Sequence, residues 1–415
     1  MRRGSLALLA WLALPLAAAA AESRENRKRP GRYQLGPLYV TPRLQLKNAG
    51  VDTNVFQTLS HPVRDEVLVL SPRLEGALPV GRRLRLTGMG LLETNYYRRQ
   101  GEQRSTDFYG EGRGELDLGP FTLFGGGGGG QFTQRFSIDV DERLKRQEKQ
   151  GYAGATWRVT NRLSATAQGR REIVTFAPGT FRLGGDVKEA MDRDTLAGTG
   201  QLRFALTNRT TLLASAETLE DRFFSQPIGG PRVRDSYRFL GGFELSTRAA
   251  ISGKLLAGLR EFPGTLAQGS PPYRGPIVSA DVAVPLRPRA RLHGIAERDV
   301  LYASSVVELG PQRFRNAFVY TRYQGEALMD LPWGLLGLAS AGFEQSRYLL
   351  PYPFPDKLTL ADRVDHRYTA GFSLVRRLGE SVRVGGHVGW ARRVSSLPFF
   401  SYQGVRYGLT AEVVP

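Results

Sequence analysis

The chain has 415 residues, 57 Lys and Arg against 39 Asp and Glu for a formal net charge of +18, no cysteine, four histidines and 49 glycines. The lack of cysteine excludes a disulfide scaffold, a thiolate-held zinc or iron–sulfur centre and a thiol nucleophile. A hydrophobic content of 41% is low for a large core buried on both sides, and the basic excess favours anionic partners in general.

Residues 1–21 carry Arg2 and Arg3, an apolar run from Leu6 to Leu16 broken only by Pro15, and five alanines from Ala17 to Ala21. This is the order of a cleaved secretory signal peptide, with cleavage expected after Ala21. An uncleaved anchor is the competing reading, but the apolar run is short for a span. Beyond it no stretch of about 18 apolar residues occurs, which excludes helical spans. The mean hydropathy of −0.29 does not separate a soluble protein from a membrane barrel, because barrel strands alternate apolar and polar residues.

Residues 22–37 hold Arg24, Arg27, Lys28, Arg29 and Arg32 with Pro30 and Pro37, and read as a basic, solvated periplasmic linker. From residue 38 the pattern turns to period two. Leu38, Val40, Leu44 and Leu46 share one parity, and Tyr39, Thr41, Arg43, Gln45 and Lys47 the other. The same alternation returns in Leu68, Leu70 and Leu74 against Ser71, Arg73 and Glu75, and in Leu84, Leu86 and Leu92 against Arg83, Arg85 and Glu93. Such segments are strands with one apolar and one polar face.

Short turns fall near residues 79–81, 119–120, 160–162, 207–209, 248–250, 287–289, 332–334 and 379–380, each with Gly, Pro or Asn chemistry or a tight polar break. Longer polar links fall around 50–64, 98–106, 136–147, 177–192, 224–234, 263–273, 303–312, 347–362 and 395–400. Eight short and nine long connections join 18 strands and leave both ends of the barrel segment, 38–415, on the short-turn side. The expected fold is all-β, a transmembrane antiparallel up-and-down barrel of about 18 strands. A soluble half-buried sheet is the competitor. Long strands, charge on one parity throughout, and aromatic residues near strand ends (Tyr96, Tyr97, Phe121, Phe124, Phe223, Phe224, Tyr348, Phe399, Phe400) favour the barrel, with those rings expected as interfacial girdles.

The first long link opens Asn48-Ala49-Gly50-Val51-Asp52-Thr53-Asn54-Val55-Phe56, and the next strand reads Val69-Leu70-Ser71-Pro72-Arg73-Leu74-Glu75. With the leader and the hairpins running to the C-terminus, the chain resembles the outer-membrane β-barrel porin family associated with bacterial exopolysaccharide or capsule export. The resemblance implies a Gram-negative outer-membrane location with periplasmic termini, a barrel that carries polymer outward, and periplasmic export components as partners. The chain departs from the usual aromatic ending of such barrels, since Tyr407, Leu409, Ala411 and Val413 alternate correctly but are followed by Val414 and Pro415.

Taking the polar parity as inward, the candidate lumen residues are Arg43, Lys47, Arg73, Arg83, Arg85, Glu111, Arg113, Glu115, Asp117, Arg203, Arg238, Lys254, Arg260, Arg322, Arg377, Arg383, His387 and Arg406, accompanied by Glu75, Glu93, Glu244, Asp281, Glu326, Asp330 and Glu412. Cross-strand pairing that keeps the wall polar is one account of them. A mildly cationic pore for anionic glycans or solutes is the other. Six consecutive glycines, Gly125–Gly130, lack the Lys-Ser/Thr and the helix of a phosphate loop. They are expected either to curve a strand and admit a close neighbour, or to form a flexible interruption.

His61 and His366 fall in or beside long links, His387 lies within a strand, and His293 sits near Glu297 and Asp299 without a Ser-His motif. Glu115 and Asp117 share a face at i, i+2, a spacing that also arises by chance in a charged wall. No enzyme activity, cofactor or metal is expected, and nothing resembles a nucleic-acid-binding module. The leading expectation is a conduit for an anionic surface polysaccharide, in contact with outer-membrane lipids. The alternatives are a general diffusion porin for small anionic solutes, and a surface structural or adhesion protein anchored by its barrel.

Overall fold

The computed structural model describes residues 32–135, 143–178, 181–182, 185–225, 233–246, 251–263, 272–287, 289–309, 312–353 and 360–415. The expected leader, 1–21, and residues 22–31 of the expected basic linker lie outside the described residues. Eighteen strands run in chain order: β1 (Leu38–Asp52), β2 (Asp65–Val80), β3 (Leu84–Tyr97), β4 (Ser105–Asp117), β5 (Phe121–Gln134), β6 (Leu144–Arg158), β7 (Leu163–Phe176), β8 (Arg193–Ala205) and β9 (Thr210–Phe223) form the first half. The second half is β10 (Val233–Leu245), β11 (Ser252–Phe262), β12 (Tyr273–Arg287), β13 (Ala290–Leu309), β14 (Gln312–Leu331), β15 (Leu335–Tyr348), β16 (Val364–Leu378), β17 (Val382–Ser395) and β18 (Tyr402–Val413). Each strand pairs antiparallel with its sequence neighbours, and β1 pairs with β18, so the sheet closes on itself and leaves no open edge among the eighteen.

Alternation explains the strands, and closure explains the alternation. Leu44, Leu68, Leu70, Leu92, Phe121, Leu196, Leu202, Phe239, Leu255 and Phe372 stand exposed on the outside of the barrel. Val69, Ser71, Glu93, Asn95, Asp107, Gln201, Arg260 and Glu344, on the opposite parity, are buried inside. The protein thus turns an apolar face outward and a polar one inward, the reverse of a soluble domain.

The short turns near 79–81, 119–120, 160–162, 207–209, 332–334 and 379–380 lie where the sequence predicts them, and both ends of the barrel lie at that end; the turn expected at 248–250, and residue 288 of the one at 287–289, lie outside the described residues. Val414 N there donates to Ser381 O, and Arg32 Nη2 donates to Ser381 Oγ at 2.6 Å. The short strand Tyr33–Leu35 folds back on Leu38–Val40, so the described end of the basic segment rests on the short-turn rim. One long link was misread. Residues 303–309 and 312 onward belong to β13 and β14, two 20-residue strands paired as far as Leu309 and Gln312. A register shift between Tyr302 and Val306 separates the barrel wall from this projecting hairpin. The Gly310-Pro311 break suggests a loop there, but backbone pairing continues on both sides of it, from Val306 with Arg315 to Leu309 with Gln312.

The seam between β1 and β18 contains a bulge. Pairing with β2 jumps from Leu46 to Asn48, and pairing with β18 jumps from Leu46 to Ala49. The extra residue lets both Lys47 and Asn48 point inward, and Asn48 Nδ2 donates to Val67 O at 3.3 Å.

At the long-link end, inward side chains meet residues that fold in from the links. Val55 packs on Val67, Val69 and Tyr97. A short helix, Val187–Met191, buries Val187 and Met191 against Leu144, Val174 and Phe176. The aromatic girdle is therefore half of what was expected. Tyr96, Phe121, Phe224 and Phe399 face out, whereas Tyr97, Phe223, Tyr348 and Phe400 are buried within and Phe124 turns inward beneath Arg113, since neighbouring residues of a strand point to opposite faces.

The six glycines form a continuous part of β5, without interruption. A β-carbon at Gly126 would stand 2.8 Å from the Tyr152 hydroxyl and 2.5 Å from Gly112 O, so the glycine floor lets neighbouring strands and rings lie close.

Candidate functional site

The lumen wall is organised by carboxylates that each hold two cations. Glu344 on β15 stands between Arg322 on β14, at 3.7 Å, and Arg367 on β16, at 2.9 Å, both its register partners. Glu412 on β18 stands between Arg383, at 3.1 Å, and Arg43 across the seam, at 3.7 Å. Asp299 takes Arg260 at 3.4 Å and Arg238 at 3.6 Å, and Glu244 takes Arg203 and, at 3.8 Å, Lys254. Asp365, held by Arg363 at 2.7 Å and Arg393 at 2.6 Å, repeats the motif at the long-link end. A carboxylate offers two oxygens and so can accept two cations, which come from the two flanking strands at Glu344 and Glu412 but from β11 and β10 at Asp299 and from β8 and β11 at Glu244. Each such triad keeps one net positive charge. The basic excess of the sequence is thereby built into the wall.

Other candidates pair along a single strand. Arg73 meets Glu75 at 2.5 Å, and Arg113 meets Glu115, because i and i+2 share a face within reach of a guanidinium. Lys47 meets Glu93 at 2.5 Å, and Glu111 accepts from the Tyr109 hydroxyl at 2.8 Å. Asp117 binds Arg158 at 3.3 Å at the short-turn rim, where Arg85 and Arg377 are also exposed. Glu115 and Asp117 are each engaged with a different arginine, which leaves no paired-carboxylate arrangement. Arg83 is corrected: it lies in the turn between β2 and β3, exposed, and its carbonyl accepts from Asp117 N. The alternation of Leu84 and Leu86 was extended one residue past the strand.

His293 also differs from its sequence reading. Its partners are Asp281 at 2.9 Å and Glu326 at 3.3 Å on the adjacent strands, in place of Glu297 and Asp299 on its own. His366 faces outward and stacks on Phe343, and His61 sits in the first link. Among the described residues no group of three or more His, Asp or Glu is arranged to hold a metal ion.

A cavity of about 290 Å³ runs along the inner face of β14–β18 and β1, and Lys47, Arg322, Arg383, His387 and Arg406 all line it. Its floor is made of small residues: Ser340, Gly342, Gly371, Ser373, Gly389 and Gly404. Arg406 makes no ion pair among the described residues. Its register partner on β1, Asp52, accepts instead from Asn54 N at 2.9 Å. Arg406 Nε and His387 Nδ1 are both buried without a hydrogen-bond partner. Two polar groups able to receive an anion thus face the cavity beside a wall of triads.

Sequence reading missed Arg135 and Arg143, which come from the link after β5 and line the same cavity. Arg143 donates to Thr133 O at 2.9 Å and Ser105 Oγ at 2.6 Å. Links carry no periodicity, so nothing marked these two. Arg367 and Arg393 join the wall as well, on the same inward parity as Arg377 and Arg383 of their own strands.

No family model matches the chain, and no curated protein matches it. Among solved structures it is similar to a BenF-like porin from Pseudomonas fluorescens Pf-5, at 9% identity over 91% of this chain and 99% of that one, with a TM-score of 0.48. It is similar to the outer membrane protein opdK from Pseudomonas aeruginosa at 10% identity over 90% and 98%, with a TM-score of 0.47. It is also similar to the siderophore receptor PirA from Pseudomonas aeruginosa at 9% identity over 92% and 81%, with a TM-score of 0.45. At these values nothing about function passes from those proteins to this chain.

Proposed function

We propose that this chain is an outer-membrane β-barrel that passes small anionic solutes through its lumen, with both termini in the periplasm. The outward apolar face supports the membrane setting, since Leu, Phe and Val side chains exposed on every side of a closed barrel need lipid around them. The observation that carries the anion reading is Arg406 beside His387, facing the cavity without an ion pair among the described residues, while Glu344 and Glu412 in the same wall are each shared by two cations. A solute anion entering there meets unbalanced positive charge in a lumen whose walls focus the field.

Export of a surface polysaccharide rests on the resemblance carried by Asn48–Phe56 and Val69–Glu75, and the first of these stretches serves the seam that closes the barrel. The anchor reading rests on no particular residue.

Planar-bilayer recording of the purified full chain under a potassium chloride gradient tests the proposal. The expected reversal potential is that of an anion-preferring channel, and Arg406→Gln moves it toward zero. A cation-preferring channel, or one indifferent to Arg406→Gln, overturns it. Absence of any conductance from a folded barrel leaves the anchor reading. Loss of surface glycan with periplasmic accumulation in a deletion strain returns the export reading.

A further inference from the structure

We propose that the outer face of β6–β9, at the long-link end, binds the phosphate-bearing sugar headgroup of a glycolipid in the surrounding leaflet. The inference rests on the membrane setting proposed above but not on what passes through the lumen. Lys145 and Lys149 on β6, Arg171 on β7 and Arg222 on β9 all lie on the outward parity and are exposed. Lys149 pairs in register with Ile173, two residues from Arg171, and Arg222 pairs with Asp194 on β8. The four cations therefore occupy one continuous patch across four adjacent strands.

Within β6–β9 two carboxylates face the same way, and a third, Asp235 on β10, borders them opposite Glu220 in register. Asp194 accepts from Arg171 Nε at 3.1 Å on each oxygen and from Nη2 at 2.8 Å, and Glu220 holds Arg222. Lys145 and Lys149 make no ion pair among the described residues. The patch thus keeps an excess of two positive charges, and two ammonium groups are available.

Its position on the strand fixes the kind of partner. Arg171 pairs in register with Leu196, and from Leu196 the outward positions of β8 run through Leu202 to Phe204, all three exposed. Eight residue steps at about 3.4 Å give an apolar stripe about 27 Å long. The cations begin where this stripe ends. A lipid lying along the stripe places its acyl chains on Leu196 and Leu202 and its headgroup against Lys149 and Arg171. Ammonium and guanidinium groups together match phosphate, the first as point charges and the second through paired N–H donors.

The test is binding of purified bisphosphorylated lipid A to the detergent-solubilised full chain, read by native mass spectrometry, against the same lipid after phosphatase treatment. The expected result is retention of the phosphorylated lipid, weaker retention of the dephosphorylated one, and at least about tenfold weaker binding by Lys145→Gln/Lys149→Gln/Arg171→Gln/Arg222→Gln. If that variant does not fold, Lys145→Gln/Lys149→Gln alone is expected to weaken binding about threefold or more. Equal binding by the folded variant overturns the proposal, as does equal binding of the dephosphorylated lipid. Complete displacement by excess inorganic phosphate overturns it in favour of a free-anion site. Arg406→Gln leaves lipid A binding unchanged, so failure of the channel reading and failure of this one are read separately.

Discussion

Asn48 faces Gly408 across the seam that closes the barrel, so closely that a β-carbon at position 408 would stand 2.1 Å from Asn48 Oδ1 and 2.8 Å from Ala49 O. The bulge at Lys47 turns Asn48 inward and brings the two backbones together, and only glycine fits opposite it. Nearby, Asn54 and Thr53 tie the first link to β18: Asn54 Nδ2 donates to Gln403 O at 2.8 Å, and Thr53 Oγ1 accepts from Val405 N at 2.8 Å.

Gly408→Val is expected to prevent closure. The side chain must displace backbone as well as the Asn48 amide, at an overpacking cost of about 1–3 kcal/mol or more. The measurement is the fraction of unheated protein that migrates as a compact folded band in detergent electrophoresis. Asn48→Gly should restore only part of it, since the contact with Ala49 O remains.

Asn54→Ala removes the amide that donates to Gln403 O and Thr58 O and accepts from Thr58 N. A loss of about 1–3 kcal/mol is expected locally, because backbone groups are left unpaired. The barrel should remain closed while protease cleaves within residues 53–64 faster than in the wild type. Cleavage at an unchanged rate would show that Val55, buried on Val67 and Val69, holds the link unaided.

Glu344→Gln should act in two directions at once. It leaves Arg322 and Arg367 without their shared counter-charge in a buried setting, at a cost of about 3–5 kcal/mol. In the same protein the anion preference of the channel should rise, because the triad now carries two net charges. Arg367→Gln, which leaves Glu344 paired with Arg322, should lower stability less and reduce anion preference. Thermal unfolding and reversal potentials, measured on both variants, check the opposite signs.

Gly126→Val places a side chain against Gly112 O and under the Tyr152 ring, and should lower thermal stability by about 1–3 kcal/mol. Tyr152→Ala, which only uncovers the glycine floor, should fold normally and raise single-channel conductance. Equal stability of Gly126→Val and wild type would mean that β5 and β4 separate freely, contrary to their continuous pairing from Asp117 to Phe108.

Alternation determined the strands and their inward and outward faces, and local turn chemistry the short turns among the described residues, because side-chain direction along a strand repeats every two residues and each turn declares itself locally. From those came the number of strands and the closed architecture. Tertiary structure decided what depends on pairing between strands. Glu344 acquires Arg322 and Arg367 from register, and His293 acquires Asp281 and Glu326 in the same way, none of which its own strand contains. The long hairpin of β13 and β14 could not be told from a link, since the pairing of Val306–Leu309 with Gln312–Arg315 lies beyond a register shift that composition does not record. Arg135 and Arg143 reach the cavity from a link, where no period fixes direction. Arg406 was legible as an inward cation, but its lack of a carboxylate follows only from Asp52 having turned to Asn54 N.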